Sequence, residues 1–151
     1  MAPRYLEDIA IGETWTSPSI VLTQEEIIAF GKANDPQPMH TDPAAAAQGR
    51  FGGLIASGWQ VAALSMRLFI EAGGYGETPV IGLGIDELRW KKPVRPGDRL
   101  HTVREVIETR RSRSKPGFGI VRTRVRVMNQ DGDIVLSMVA VGQISTRGKS
   151  S

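Results

Sequence analysis

Between residues 118 and 128 the chain alternates with a period of two. Val121, Thr123, Val125 and Val127 fall on one side, and Arg122, Arg124 and Arg126 on the other. That period belongs to a strand with one face in the core and the other in water. The arginine face reads most simply as solvated, although three guanidinium groups in a row would also suit phosphate groups or an acidic partner. Residues 79–90, 99–111 and 134–145 carry similar strand-length runs rich in β-branched residues. The turns between them are explicit. Arg95-Pro96-Gly97-Asp98 suits a type II turn, with proline first and glycine at the positive-φ position. Gln130-Asp131-Gly132-Asp133 is a strong hairpin signal, and residues 112–119 supply the remaining turn. Four strands joined in this way predict an antiparallel meander.

The first half reads differently. Residues 13–22 suit a strand broken near Pro18. Thr23-Gln24-Glu25-Glu26 is a capping box, and Ile27, Ile28, Phe30 and Ala33 then mark the apolar face of a helix ending at Asn34. Asp42-Pro43 before four alanines is the pattern of an N-cap followed by proline at the first helical position. Ser57-x-x-Gln60 looks like a second capping box, opening a helix over residues 59–72 that Gly73-Gly74 terminates. Trp59, Val61, Leu64, Met66, Leu68, Phe69 and Ile70 lie around most of its circumference, leaving Gln60, Arg67 and Glu71 as a narrow polar stripe. A helix apolar nearly all round is expected to be buried. Helices first and strands afterwards place the chain in the α+β class.

Candidate chemistry concentrates in Asn34-Asp35-Pro36-Gln37-Pro38-Met39-His40-Thr41-Asp42-Pro43. Asp35 and His40 are an acid and an imidazole five positions apart, with two prolines stiffening the backbone between them. Proline also pushes its predecessor out of the helical region, so Asp35 and Gln37 are biased towards extended geometry. Fully extended, the run would part Asp35 and His40 by up to about 16 Å. A shared substrate therefore requires the loop to curl back. The spacing permits a general acid–base pair without establishing one. Asp42 is assigned to capping.

Composition narrows the field. At 151 residues, 40% apolar and 23% charged, the chain is one globular domain of ordinary size, with residues 146–151 expected to fray. A net charge of +3 calls for no nucleic-acid partner. With no cysteine and only two histidines, neither a thiol nucleophile nor a metal site is expected. Residues 1–12 lack the apolar core of a secretory signal, and no run suits a membrane span, so the expected compartment is the cytoplasm. Ser57 lacks the Gly-x-Ser-x-Gly surroundings of a nucleophile elbow. The Gly82-Leu83-Gly84 pair lies in a strand and lacks the third glycine of a dinucleotide loop.

The segment from Asp35 to Pro43, followed by Arg50-Phe51-Gly52-Gly53-Leu54-Ile55-Ala56-Ser57-Gly58, resembles the MaoC-like dehydratase family, which includes the (R)-specific enoyl-CoA hydratases. The Lys92–Asp98 turn is also similar to that family's, and the likeness extends over roughly residues 5–145. It departs from the commonest motif at Gln37, where Asn is usual. The resemblance implies a hot-dog fold, in which a long antiparallel sheet wraps a central helix, and a homodimer or a multiple of it. It implies Asp35 and His40 as the catalytic pair. Gly58 at a helix N-terminus would supply a backbone donor for a thioester oxyanion, with Ser57 and Gln37 as further polar contacts to substrate. The implied reaction is reversible hydration of a trans-2-enoyl thioester of CoA or a carrier protein to the (R)-3-hydroxyacyl thioester, without a cofactor. A hot-dog thioesterase acting on the same thioester and a non-catalytic acyl-CoA-binding subunit are the alternatives.

Overall fold

The computed structural model describes residues 2–148. After a 3-10 turn at Leu6–Asp8, the elements are β1 (Thr14–Thr16), β2 (Ile20–Val21), α1 (Gln24–Asn34), α2 (Pro38–Thr41), α3 (Pro43–Gln48), α4 (Gly58–Glu71), β3 (Ile81–Trp90), β4 (Arg99–Arg111), β5 (Phe118–Met128) and β6 (Ile134–Ser145). Local chemistry sets most boundaries. Thr23 and Glu26 form the reciprocal capping box of α1, Asp42 accepts from the amides of Ala44 and Ala45 to open α3, and Gly97 turns at φ 88° between Arg95 and Asp98.

The strands form one antiparallel sheet in the order β1-β4-β5-β6-β3, with β2 also pairing on β4. The meander expected of four successive strands holds for β4, β5 and β6 only. β3 pairs with β6, not with β4. The free edge of β4 is taken by β1 and β2, through Thr14 opposite Glu105 and Ile20 opposite Leu100. The remaining edge lies beside β6. β3 reaches it with two register shifts, between Gly82 and Gly84 and between Asp86 and Arg89.

Helix α4 lies on the sheet. Val61, Leu64 and Leu68 pack with Val125, Val127, Leu136 and Met138 in the main core. Phe69 joins Leu6, Tyr75, Val106, Val121 and Ile144 in a second cluster. This is the α+β hot-dog arrangement, a helix cradled by a long antiparallel sheet. Burial all round α4, however, does not hold within one chain. Trp59, Met66 and Ile70 are 57%, 42% and 55% exposed, because the sheet covers only one side of the helix. In α1, Ile27 is buried as expected, but Ala33 is exposed and Gly31 takes the inward position instead.

Thr146 and Arg147, where fraying was expected to begin, are tied down. The Thr146 amide donates to the Gly117 carbonyl at 2.9 Å. The Arg147 amide donates to Glu7, and its guanidinium pairs with Asp8. Residues 149–151 lie outside the described residues. On the outer face of β5, Arg122 lies near Asp86 and Glu108, and Arg124 near Glu105, at 3.4–3.7 Å. These two arginines therefore face carboxylates of the same sheet, as a solvated strand face would. Among the described residues, no helix is long and apolar enough to cross a membrane.

Candidate active site

The Asp35 loop curls through a single helical turn. Asp35 ends α1 with its amide on the Gly31 carbonyl, and Gln37 is extended at φ −71° and ψ 141°, as a residue before proline should be. Pro38 then starts α2, which the reading of the motif as a plain loop missed. Proline is at home in a first helical turn because its absent N–H has no partner there anyway. One turn reverses the chain and brings His40 Nε2 to 3.2 Å from Asp35 Oδ2. The two helices can approach this closely because residue 31 is glycine. A Cβ there would stand 2.7 Å from the His40 carbonyl oxygen, a clash no rotamer could relieve. An isolated glycine inside a helical pattern was the available signal for this.

His40 is 3% exposed and held from the other side. Its Nδ1 lies 2.8 Å from the Ile55 carbonyl, which can only accept, so Nδ1 carries a proton and Nε2 faces Asp35. Asp35, with its side chain 20% exposed, collects donors. Gln37 Nε2 donates to Oδ1 at 2.9 Å and the Ser57 hydroxyl to Oδ2 at 2.8 Å. The Gln37 amide, followed by the Ser57 hydroxyl and the charge of His40, holds the Asp35 carboxyl below the usual aspartate range against the opposing effect of burial. Asp35 is thus an ionised carboxylate touching an imidazole, at the wall of a cavity of about 510 Å³ that Gly58, Trp59 and Trp90 also line.

Residues 8–129 match the MaoC like domain family. The chain belongs to the MaoC-like dehydratase family. This MaoC-like chain is 36% identical over 125 residues to the uncharacterized protein YdeM of Bacillus subtilis, covering 83% of this chain and 87% of that protein. It superposes on the MaoC-like dehydratase from Rhodospirillum rubrum with TM-score 0.85 and 38% identity, covering 95% of this chain and 98% of that one. The (R)-hydratase from A. caviae involved in PHA biosynthesis follows the same fold, with TM-score 0.73, 30% identity and coverage of 90% and 97%.

Within this MaoC-like fold, the residues singled out in the sequence do meet. Asp35, Gln37, His40 and Ser57 form one hydrogen-bonded cluster, and Gly58 lines the same cavity. Ser57 does cap α4, accepting from the Trp59 amide at 3.3 Å. The reciprocal half of its capping box is absent, because Gln60 Nε2 donates instead to the Glu26 carbonyl of α1. Gln37 lines the cavity too, with its amide donating to Asp35. Gly58 is the first residue of α4, where the amide has no intrahelical acceptor. Its crowding neighbour is Trp90, with which a Cβ at residue 58 would collide at 2.4 Å. Trp90 in turn meets Trp59 edge-on, with ring centroids 5.0 Å apart. His101 stands apart on β4, opposite Met128. Sequence reasoning did not anticipate Trp90, or Arg50, Lys91 and Lys92 along the same cavity. Three cations around one opening suit a polyanionic substrate, although Lys92 is already paired with Asp133 at 2.6 Å.

Proposed function

We propose that this chain is a hydro-lyase that reversibly hydrates a trans-2-enoyl thioester of CoA or an acyl carrier to the (R)-3-hydroxyacyl thioester. The observation that carries this reading is the 3.2 Å approach of His40 Nε2 to Asp35 Oδ2 beside the open N-terminus of α4. The Gly58 amide donates to the thioester carbonyl, so that charge arriving on addition at Cβ collects on that oxygen as an enolate. Asp35, ionised because Gln37 and Ser57 donate to it, takes a proton from water as the water oxygen bonds to Cβ. His40, protonated on both ring nitrogens where it faces the Asp35 carboxylate, delivers the Nε2 proton to Cα. The proton gained by Asp35 then crosses the short gap to His40 and restores the pair. Dehydration is the reverse sequence. The R configuration rests on the family resemblance. No cofactor is required, since the thioester already acidifies Cα.

The test is hydration of crotonyl-CoA, followed as loss of enoyl-thioester absorbance, with free thiol measured alongside. Loss of absorbance without thiol release is the expected result. Thiol release would favour a thioesterase, and neither signal with any enoyl thioester would favour a non-catalytic acyl-CoA-binding subunit. The pH profile carries a second expectation. Because the Asp35 carboxyl is depressed, activity should persist below the ordinary aspartate value of about 3.9 before its acid limb falls. Replacing Gln37 with Leu removes the largest cause of that depression, so the limb should move to higher pH. A limb that stays in place in Gln37→Leu would contradict the role given to this amide.

The exposed side of α4 bears on assembly. Trp59, Met66 and Ile70, together with Ile81, Leu83 and Ile85 of β3, leave large apolar groups in water beside a strand edge that has no partner among the described residues. An unpaired edge is a template for another strand. A homodimer formed through β3 would cover both features. Light scattering at micromolar concentration should therefore give at least twice the 16.4 kDa of one chain. A monomer peak would refute the arrangement.

A further inference from the structure

A second cavity, of about 570 Å³, lies between α4 and the strands β3, β5 and β6, and its lining is mostly apolar. Its one charged lining residue is Arg104. On β4 the inward row runs Leu100, Thr102, Arg104, Val106, so a guanidinium stands where the alternation calls for an apolar side chain. Arg104 is 4% exposed. Its Nε and Nη1 have no hydrogen-bond partner among the described residues, and no carboxylate of the described residues forms an ion pair with it. The guanidinium stacks on the face of Phe69, 4.1 Å from its carbon to the ring centroid. Burial lowers its pKa only to about 10, so it stays charged at neutral pH. An unpaired buried cation is costly, and stacking on one ring offsets only part of that cost. Ser65, Tyr75 and Thr123 line the same cavity. Burial pushes the Tyr75 phenol up, which keeps it a hydrogen-bond donor.

Trp59 lines both cavities. From Trp59 to Phe69, beside Arg104, is ten residues of helix, about 15 Å along the axis. We propose that this cavity receives the distal part of the acyl group, and that the acyl group ends in a carboxylate bound by Arg104. The substrate class is then the monothioester of a 2-enedioic acid, with an apolar chain along α4 and an anion at its end. The inference rests on the hydratase reading for the reaction but not for the binding. A guanidinium presents a fork that matches a carboxylate bidentately, and the apolar walls strengthen the pairing. A methyl-ended chain of equal length would leave the cation unpaired, the situation in which sites discriminate strongly. The mouth of the cavity is flanked by Met66, Leu83 and Ile85, so closure of a dimer over this side would shield it from water.

Calorimetric binding of saturated CoA monothioesters tests the inference without turnover. Decanedioyl-CoA should bind the wild-type chain at least tenfold more tightly than decanoyl-CoA, and Arg104→Met should bring that ratio to about one or below. Because the substitution removes an unpartnered buried charge, the variant should melt no lower than wild type. If it fails to fold, the wild-type ratio alone decides. Equal or reversed binding by the wild type, or a preference that survives Arg104→Met, overturns the carboxylate site. In that event, hydration of crotonyl-CoA could still stand. Conversely, a preference for decanedioyl-CoA with no hydration of any enoyl thioester would support the site and defeat the proposed reaction.

Discussion

Asp35→Asn and His40→Ala each lower kcat for an enoyl thioester by about 10²-fold or more, the usual scale for loss of a general acid or base, while Asp42→Asn leaves it nearly unchanged. The three residues lie within eight positions, yet their surroundings differ. Asp35 accepts from Gln37 and Ser57 and touches His40. Asp42 accepts from the Ala44 and Ala45 amides at the start of α3, a task asparagine performs almost as well. Asparagine at position 35 keeps the size of the side chain and can still accept from its neighbours, so the loop should hold its shape. It cannot take the proton from water. His40→Ala removes the ring that spans from Asp35 to the Ile55 carbonyl, and with it the donor to Cα. Steady-state kinetics with circular dichroism as a folding control makes the comparison. Equal losses in all three variants would mean that the loop is merely fragile. Full activity in Asp35→Asn would eliminate the acid–base pair.

Leu64→Asp costs several kcal/mol of folding stability, the scale of an uncompensated charge in an apolar interior. Leu64 is 7% exposed, on the side of α4 that faces Val125, Val127 and Leu136. The side chains that pack there are apolar, so a carboxylate would have to protonate or drag water inward. Either response opposes the packing that positions α4, and with it Ser57 and Gly58. Denaturant titration should show an early midpoint. Wild-type stability would mean that this helix face is not the core.

Much of the architecture was legible because the information is local. The alternation of Val and Arg over 121–127 is a direct record of a strand with one buried face, and it appears as such in β5. Thr23 with Glu26, Asp42 with Pro43, and Gly97 after Pro96 each satisfy backbone groups within a few residues. Element ends could therefore be read without knowing the fold. The candidate site was legible in part through its resemblance to a family. Asp-Pro-Gln-Pro-Met-His was recognisable as a motif, but the distance between its two functional groups was not, since an extended run and a one-turn helix share that spelling.

By itself, then, the sequence determined the strands, the caps, the turns and which residue types could do acid–base chemistry. These depend on φ preferences, hydrogen bonds within a turn and alternation, all short-range. Only the tertiary structure decided that β3 pairs with β6, because β1 and β2 already occupy the other edge. It also decided that Ser57, 22 residues away, donates to Asp35, and that Gln60 serves α1 instead of its own cap. Likewise, Arg104 became anomalous only when its strand face met α4, since one arginine in a β-rich run looks ordinary on paper. The apolar circumference of α4 was visible in the sequence, but which part meets the sheet and which stays exposed was not. Each of these outcomes turns on contacts between residues far apart in the chain, and no local pattern encodes the partner.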